Sequence, residues 1–315
     1  MTNITLIGPG AIGATLAAWL SQNPKHNVSV GVRTPFDSIV LDTPSGRIEA
    51  SPRVLTDPAQ AKPSDWVLVT TKAYDSASAA RWLQNALGAH TRLAVIQNGV
   101  EHVERFMPFL DASRIVPVMI DCPATRLSPG KVLQGGPIHI LVPAGANGAD
   151  FVKLFDGLNF DVRETEDFVT AVWKKLCLNS AGAVPAVLLE PAGISHHEGL
   201  AEILRAIVRE CIAVGRAKGA VLGDEIADEI VERMRSGPRD AANSMLADRR
   251  AARPMEIDAR NGVIVRYGRE LGIATPMNAL MVAMLEASQD CRRAASGRNA
   301  LSGRGGGETT APEDR

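Results

Sequence analysis

The chain lacks the cysteine spacing of a metal-binding or disulfide-bonded protein. Its 315 residues include four cysteines, and no two of them form a C-x-x-C pair. The adjacent residues His196 and His197 would point about 100° apart on a helix, which makes a poor chelate. We therefore expect no metal site and no disulfide framework, with thiols reduced as they are in the cytosol.

The sequence also lacks an excess of charge of either sign. Its 34 basic and 35 acidic residues leave a formal net charge of -1. This balance offers no electrostatic reason to expect binding to nucleic acid or to an acidic membrane surface. No apolar run approaches the roughly 18 residues of a membrane helix, and we expect no signal peptide before the first strand. A cytoplasmic protein without nucleic-acid or membrane partners is the expectation.

The most informative feature that is present is a glycine-rich turn near the beginning of the chain. Residues Ile4 to Ile7 have the pattern of a buried strand, and Ala14 to Leu20 that of a helix. Between them stands a G-x-G-x-x-G motif, Gly8-Pro9-Gly10-Ala11-Ile12-Gly13. In this order the motif is typical of dinucleotide binding, because the backbone can approach a pyrophosphate at the helix N-terminus. An ordinary glycine-rich turn in an unrelated α/β protein is the alternative.

The pattern of elements predicts two domains and a tail. Residues 1–165 alternate short apolar runs with helical patterns, which predicts a parallel sheet with helices on both faces. Residues 166–290 show long helical periods and predict an all-helical domain. The composition of residues 291–315 shifts toward Gly, Ser, Arg and Thr, which predicts a disordered tail.

Several element bounds follow from these patterns. Residues Ile115 to Ile120 are predicted as one strand, and Phe168 to Leu189 as one helix. Ser195 and Glu198 have the spacing of a capping box and predict the beginning of another helix there. A further helix is predicted from Pro254 to Leu271, and the last one begins at Pro276.

One basic residue bears on which dinucleotide is bound. An acidic residue at the end of the second strand of this fold accepts hydrogen bonds from a ribose 2′-hydroxyl, whereas a basic residue pairs with a 2′-phosphate. The second strand here ends in Val32-Arg33-Thr34, and Arg33 stands 20 positions after Gly13. A guanidinium makes strong contacts with phosphate, so we expect NADP (NADPH) as the cofactor. A solvated arginine in a loop is the alternative.

Polar residues follow two later strands of the predicted sheet. Lys72 follows the third strand and Asn98 follows the fourth. Open α/β sheets bind ligands at the carboxyl ends of their strands. Lys72 can therefore approach a cofactor phosphate or ribose, and Asn98 a ribose or a polar group of the substrate. Each taken alone is more often an ordinary loop residue.

Two further groups of polar residues lie in the helical region. Lys175 and Asn179 share one face of an otherwise apolar helix, where burial is costly without a partner. Ser244 can donate to a carboxylate, and Glu256 can accept from a hydroxyl or an ammonium. The alternative for Lys175 and Asn179 is a stripe of surface residues. The alternative for Ser244 is a helix N-cap, and the alternative for Glu256 is a carboxylate near a helix N-terminus.

Taken in order, these segments resemble the ketopantoate reductase (2-dehydropantoate 2-reductase) family over about residues 3–290. The resemblance rests on five motifs: G-P-G-A-I-G, T-K-A-Y-D, Q-N-G-V, W-K-K-L-C-L-N, and S-M-L-A-D followed by E-I-D-A-R-N-G. It implies an N-terminal Rossmann domain with a mostly parallel, doubly wound sheet and an all-α C-terminal domain. It also implies NADPH-dependent reduction of a 2-oxo acid to the (R)-hydroxy acid during pantothenate and coenzyme A biosynthesis, and a possible homodimer.

The resemblance also implies a role for each matching residue. Lys175 corresponds to the catalytic lysine, and Glu256 binds a substrate hydroxyl or orients that lysine. Asn179 and Ser244 correspond to substrate-binding residues, with Ser244 on the carboxylate. The cofactor side comprises the glycine turn together with Arg33, Lys72 and Asn98.

The chain departs from the family pattern at two substrate positions. Ala183 and Gly193 stand where the family pattern has asparagine. The loss of these amides removes hydrogen-bond donors and is expected to enlarge the pocket. The substrate is therefore open between ketopantoate and another branched or aromatic 2-oxo acid, as in a mandelate-type (R)-2-hydroxy acid dehydrogenase. A non-catalytic NADP-binding sensor is the alternative from another class, and Lys175, Ser244 and Glu256 together argue against it.

Overall fold

The computed structural model describes the backbone of residues 1–302 and the side chains of residues 1–291. Its internal contacts divide the chain into two compact units. The first comprises Met1–Leu176 and Gly215–Leu222, and the second comprises Cys177–Val214 and the chain from Gly223 onward. Each unit is described separately below.

The first unit contains a six-stranded parallel sheet. Its strands are β1 (Thr2–Ile7), β2 (His26–Gly31), β5 (Arg53–Leu55), β6 (Trp66–Val69), β7 (Arg92–Val95) and β8 (Ile115–Pro117). They lie in the order β5-β2-β1-β6-β7-β8, and every neighbouring pair is parallel. This is the strand order of a dinucleotide-binding Rossmann sheet, so the α/β expectation is confirmed.

Both faces of this sheet are buried. Ile4 and Leu6 of β1 point to one face of the sheet and belong to one apolar cluster. Ile7 points to the opposite face and belongs to a second cluster. The first cluster includes residues of α1 (Ala11–Leu20), and the second includes residues of α2 (Ser76–Ala86). Because successive strand residues point to opposite faces, a strand that is apolar throughout must be covered on both sides.

Two smaller sheets complete the first unit. The four-stranded sheet β10-β11-β3-β4 and the three-stranded sheet β13-β12-β9 mix parallel and antiparallel pairs. Their strands are β3 (Ile39–Thr43), β4 (Gly46–Ala50), β9 (Met119–Asp121), β10 (Ala124–Ser128), β11 (Lys131–Gln134), β12 (His139–Pro143) and β13 (Asp161–Thr165). A short helix, α3 (Ala146–Val152), follows β12. The sequence patterns did not predict the four-stranded sheet.

The remaining helices account for the helical C-terminal region. They are α4 (Phe168–Ala181), α5 (Ala183–Leu188), α6 (Glu198–Ala217), α7 (Ile226–Ser236), α8 (Ser244–Arg250), α9 (Val263–Leu271) and α10 (Pro276–Ser302). The division between the units falls inside α4 rather than at the expected boundary near residue 165. Gly215 packs closely on Trp173, since a Cβ there would lie 2.9 Å from the indole, and this contact joins residues 215–222 to the beginning of α4.

Three element predictions were wrong for identifiable reasons. The strand predicted over Ile115 to Ile120 is two strands in different sheets, because Pro117 cannot donate a ladder hydrogen bond. The helix predicted from Phe168 to Leu189 breaks at Gly182, because the ring of Pro185 is incompatible with a continuous helix through residue 181.

The predicted capping box at Ser195 and Glu198 is also absent. The hydroxyl of Ser195 donates to the carbonyl of Ala192 at 2.8 Å, and the Glu198 carboxylate accepts from Arg235 at 2.8 Å. Both side chains therefore have partners other than the N-terminus of α6. The backbone N–H of Leu200 instead donates to Nδ1 of His197 at 3.3 Å.

Two further helix bounds in the C-terminal region differ from the prediction. Residues Asp258–Gly262 form a π-helical turn ahead of α9, so the helix predicted from Pro254 begins later. The helix α10 continues to Ser302, past the expected beginning of the tail at residue 291. Residues 303–315 of that predicted tail lie outside the described part of the chain.

Two buried asparagines connect the helices of the second unit. The amide of Asn278 donates to the carbonyl of Ile207 at 3.1 Å and to the carboxylate of Glu210 at 2.7 Å. Its oxygen accepts from Asn261 at 2.9 Å, and the Asn261 amide also donates to the carbonyl of Ser180 at 3.1 Å. Because these groups have no access to water, removal of one leaves its partners unsatisfied.

We expect Asn278→Ala to lower the Tm by about 5 °C or more, since it removes the hydrogen-bond partner of groups on α6 and in the π-helical turn. Differential scanning calorimetry measures this shift. The matched control is Asn85→Ala, which removes an exposed amide that donates to the carbonyl of Pro58 at 3.3 Å. Equal shifts for the two variants would show that the buried network contributes nothing special to stability.

Candidate active site

The glycine turn between β1 and α1 has the backbone geometry of a phosphate-binding loop. Gly8 has a φ of +83°, a conformation that other residues rarely adopt. Its N–H donates to the carbonyl of Gly31 at 3.1 Å, which ties the turn to the end of β2. The N–H of Gly10 donates to the carbonyl of Gly8 at 2.7 Å. The chain therefore reverses tightly just before α1 begins.

Two threonines at the end of β6 hold this turn in place. The hydroxyl of Thr70 lies 2.9 Å from the carbonyl oxygen of Gly8 and 3.1 Å from that of Ile7. A Cβ at Gly13 would come within 2.2 Å of the Thr70 hydroxyl, and one at Gly8 within 2.4 Å of the Thr71 methyl group. The first and third glycines of the motif are therefore required by close packing against β6.

The second glycine of the motif borders open space. The nearest atom to a Cβ at Gly10 would be the carbonyl oxygen of Gly8, at 3.9 Å. The helix α1 begins at Ala11 without a side-chain cap or an acidic residue in its first turn. Uncapped N–H groups at a helix N-terminus commonly bind anions, so a pyrophosphate beside Gly10 stays the prediction. Pro9 and Ile12, the remaining residues of the motif, shape the same turn.

Arg33 lies where the sequence predicted it, just beyond the end of β2. Its guanidinium pairs with the carboxylate of Asp75 at 3.2 Å, and its side chain is 83% exposed. Exposed ion pairs contribute little to stability, so this contact does not prevent the guanidinium from binding a second anion. Asp75, which follows Lys72 by three residues, was not identified from the sequence.

Gln97 connects the loops that follow β6 and β7. Its amide nitrogen donates to the hydroxyl of Thr71 at 3.0 Å, and its amide oxygen accepts from Ser76 at 3.1 Å. The same amide nitrogen lies 3.5 Å from the carbonyl of Lys72. Gln97 is buried, and it thereby fixes the loop that carries Lys72. Sequence reasoning treated Gln97 as a turn residue, and nothing in the local pattern distinguishes it from one.

Asn98 is held through its backbone. The guanidinium of Arg105 donates to the carbonyl of Asn98 at 3.0 Å, and the imidazole of His102 donates through Nε2 to the carbonyl of Gln97 at 2.9 Å. Burial lowers the pKa of His102 to about 4, with Arg105 and Lys175 acting in the same direction. His102 is therefore neutral at pH 7, and its Nε2 carries the proton because a carbonyl can only accept.

Lys175 lies on α4 within the first unit. Its ammonium donates to the carbonyl of Ile120, the middle residue of β9. Burial raises the pKa of the nearby Cys122 thiol to about 12, and Lys175 opposes that shift. The lysine thus stands beside a neutral thiol and a neutral imidazole, so neither offers it a counter-ion. The sequence left open whether Lys175 belongs to a ligand site or to a stripe of surface residues, and in the structure the residue is partly buried.

In the second unit, Ser244 is exposed at the beginning of α8. It is not the helix cap, because the side chain of Asn243 accepts from the N–H groups of Met245 and Leu246 at 2.9 and 3.0 Å. Its hydroxyl accepts a hydrogen bond from Arg260 at 2.6 Å. Asn179 is partly buried near the end of α4, and its carbonyl accepts from Gly182 at 3.2 Å.

Glu256 is buried just before the π-helical turn. Burial lowers the pKa of Arg260, and the carboxylates of Glu256 and Asp248 oppose that shift. Asp248 also pairs with Arg253 at 2.8 Å. Ser244 and Glu256 thus belong to one group of charges around Arg260, a residue that sequence reasoning did not single out. Its position two residues after E-I-D was the available signal.

The two departures from the family pattern have different surroundings. Ala183 is fully buried. A Cβ at Gly193 would lie 3.1 Å from the carbonyl oxygen of Arg239, which already accepts from the Gly193 N–H at 2.9 Å. The enlargement of the pocket at these two positions stays a prediction.

Two searches of the described residues produced no candidate. No group of three or more His, Cys, Asp or Glu side chains is placed to hold a metal ion there. Among the described helices, none combines the length and the apolar composition of a membrane span.

These features define a dinucleotide-binding α/β protein with a helical second unit and a lysine-containing site. The sequence profile "Ketopantoate reductase PanE/ApbA" matches residues 4–147, and the profile "Ketopantoate reductase PanE/ApbA C terminal" matches residues 167–289. The chain therefore belongs to the ketopantoate reductase family, whose members are oxidoreductases that act on a CH–OH group and use a nicotinamide cofactor.

Three comparisons indicate how similar the relatives are. The 2-dehydropantoate 2-reductase of Caulobacter vibrioides is 52% identical over 288 residues, which cover 91% of this chain and 99% of that protein. A PanE/ApbA family ketopantoate reductase from Ralstonia eutropha JMP134 matches with a TM-score of 0.86 at 27% identity, covering 92% and 99% of the two chains. A D-mandelate dehydrogenase structure with NADH and anilino(oxo)acetate matches with a TM-score of 0.82 at 20% identity, covering 92% and 98%, and shares the fold.

We expect Gly10→Ala to weaken cofactor binding and Gly13→Ala to destabilise the fold. The first should leave the Tm of the cofactor-free protein within about 1 °C and weaken NADPH binding about tenfold or more, because its methyl group projects into the space for pyrophosphate. The second should destabilise the fold by about 1–3 kcal/mol, because its methyl group collides with Thr70. Fluorescence titration and calorimetry measure the two effects. Unchanged NADPH affinity in Gly10→Ala would contradict the assignment of this turn.

Proposed function

We propose that this protein catalyses the NADPH-dependent reduction of a 2-oxo acid, with 2-dehydropantoate, which yields (R)-pantoate, as the first choice of substrate. The observation that carries the proposal is the partly buried ammonium of Lys175, placed on α4 and bonded to the carbonyl of Ile120. The similarity to 2-dehydropantoate 2-reductases supports the choice of substrate. The reaction would belong to pantothenate and coenzyme A biosynthesis in the cytoplasm.

Lys175 is proposed as the general acid. A nicotinamide held at the glycine turn would supply a hydride to the carbonyl carbon of the substrate, so that negative charge would develop on the carbonyl oxygen. The Lys175 ammonium stabilises that charge and donates a proton to the oxygen. Its hydrogen bond to the main-chain carbonyl of Ile120 helps to orient the ammonium.

The remaining predicted residues bind and orient the substrate. Ser244 exposes a hydroxyl that can donate to a carboxylate, and Asn179 and Asn98 offer amides. Glu256 is a buried carboxylate that can accept from a substrate hydroxyl or orient the lysine. Lys72 follows Thr70 and Thr71, which pack against the glycine turn, and we assign it to the cofactor phosphate or ribose.

The preference for NADPH is assigned to Arg33. Its guanidinium stands beyond the end of β2, where the adenosine ribose of a dinucleotide lies in this fold. The neighbouring carboxylate of Asp75 already pairs with it, so the arginine is held near that position. A 2′-phosphate can bind the outward side of the same guanidinium.

A second candidate is the reduction of another branched or aromatic 2-oxo acid. Ala183 and Gly193 favour it, because both lack the amide of the family pattern and so offer fewer partners to the substrate hydroxyl. A non-catalytic sensor is a third possibility, and the lysine of the proposed mechanism argues against it. A homodimer stays a prediction.

We expect Lys175→Ala to lower kcat about 10²- to 10⁴-fold on 2-dehydropantoate, the loss typical of a positioned acid, with NADPH affinity retained. NADPH oxidation followed by absorbance measures kcat, on 2-dehydropantoate and a panel of aliphatic and aromatic 2-oxo acids. Lys174→Ala changes the exposed adjacent lysine and serves as the control.

The panel separates the candidate functions. A strong preference for 2-dehydropantoate supports the first, and turnover of a different acid supports the second. No oxidation with any 2-oxo acid would overturn both and favour the sensor. A loss of only a few-fold in Lys175→Ala would remove this residue from the mechanism.

We expect Arg33→Ala to raise the Kd for NADPH about tenfold or more and to leave the Kd for NADH within about twofold, because only NADPH carries the 2′-phosphate. Arg81→Ala, on an exposed position of α2, is the control. Equal changes for the two cofactors would assign the discrimination to another residue.

A further inference from the structure

Arg260 is an unusual residue for the interior of a helical unit. It lies in the π-helical turn and is 3% exposed. Burial of a guanidinium is costly, and such groups are normally paired in every direction. Here Nε has no hydrogen-bond partner among the described residues, whereas Nη2 donates to the hydroxyl of Ser244 at 2.6 Å. The buried cation is therefore directed at an exposed hydroxyl.

This contact fixes what the Ser244 hydroxyl can do. A serine hydroxyl has one proton to donate and two lone pairs to accept with. Since a guanidinium can only donate, Ser244 must be the acceptor in this bond. Its own proton is then directed elsewhere, and the adjacent positive charge makes it a stronger donor. An exposed donor polarised in this way suits an anionic acceptor such as a carboxylate.

The charges around Arg260 support the same conclusion. Glu256 and Asp248 are both buried and both act on its guanidinium. Asp248 is also paired with Arg253, so two carboxylates face two guanidinium groups. Loss of Arg260 would remove a positive charge from beside Ser244 and from between these two carboxylates, which disfavours an anionic substrate there. Arg260 thus favours the binding of a substrate carboxylate in two ways. It orients the Ser244 hydroxyl, and it offsets the negative charge of Glu256 and Asp248.

The geometry points to Arg260 as a positioning residue that sets the preference of this site for a carboxylate, by orienting the Ser244 hydroxyl and balancing Glu256 and Asp248. This inference rests on the proposed function, because it requires a 2-oxo acid as substrate. Arg260 is too buried to take the place of Ser244 as the contact. Its effect is expected in the binding of the acid rather than in the chemical step.

The test compares two substrates in one set of variants of the full chain. The substrates are the 2-oxo acid on which the wild-type protein is most active and the neutral carboxamide of that acid. Arg260→Met should raise the KM for the acid about tenfold or more, with kcat nearly unchanged, because a bond made equally in ground and transition states is lost. The KM for the carboxamide should stay within about twofold.

A double-mutant cycle tests the route through Ser244. Ser244→Ala should raise the KM for the acid, and Arg260→Met should add much less in that background than alone, because the two changes remove one shared interaction. Arg260→Lys should recover part of the loss, since an ammonium keeps the charge and one donor. Arg205→Met removes a partly buried arginine that pairs with Asp228 and Glu202, and it should leave both KM values unchanged.

The outcomes distinguish this inference from the proposed function. A wild-type protein that reduces no 2-oxo acid overturns both. An active wild type with equal KM increases for acid and carboxamide in Arg260→Met overturns the inference alone, because that pattern reports general damage. The inference would also be overturned if the effects of Arg260→Met and Ser244→Ala on the KM for the acid were fully additive. If Arg260→Met does not fold, Arg260→Gln and Arg260→Lys provide the same comparison.

Discussion

The nucleotide-binding end of this protein depends on a contact between two strand ends. The hydroxyl of Thr70 is bonded to the carbonyl groups of Ile7 and Gly8, and it occupies the space that a side chain at residue 13 would need. This contact fixes the glycine turn against β6 and leaves the N-terminus of α1 open beside Gly10. The next residue, Thr71, accepts a hydrogen bond from Gln97, which directly precedes Asn98. Two adjacent threonines at the end of β6 therefore contact the glycine turn and the loop after β7.

The second unit depends on buried polar groups in a different way. Asn261 donates to Asn278, and both donate to main-chain carbonyls of neighbouring elements, so they influence how those elements pack. Arg260 lies one position before Asn261 but is directed at Ser244 and at two carboxylates. One π-helical turn thus serves the packing of the core and the electrostatics of the candidate site. The extra residue of a π turn changes the direction of the side chains within it, which allows neighbouring residues to serve both.

The sequence allowed much of the fold to be predicted, and its failures share one cause. The strands of the parallel sheet and the long helices have clear periodicity, so the fold class was predicted correctly. The four-stranded sheet was missed because strands such as Gly46–Ala50 and Ala124–Ser128 are half exposed and carry little apolar pattern. The capping box predicted at Ser195 and Glu198 does not form, because both side chains have other hydrogen-bond partners. Short local patterns do not reveal which of several partners a polar side chain will choose.

For the candidate site, the sequence by itself determined the chemical groups: the glycine turn, Arg33, Lys175, Ser244 and Glu256. Local backbone geometry explains the glycine turn, whereas Lys175, Ser244 and Glu256 were identified by the resemblance of their motifs to the family. Only the tertiary structure decided their partners, because those are separated widely along the chain. Lys175 meets the carbonyl of Ile120, Gln97 meets Thr71, and Arg260 meets Ser244. Burial and hydrogen bonding between distant segments set the charge and direction of each group. The sequence alone does not show which distant segments come into contact.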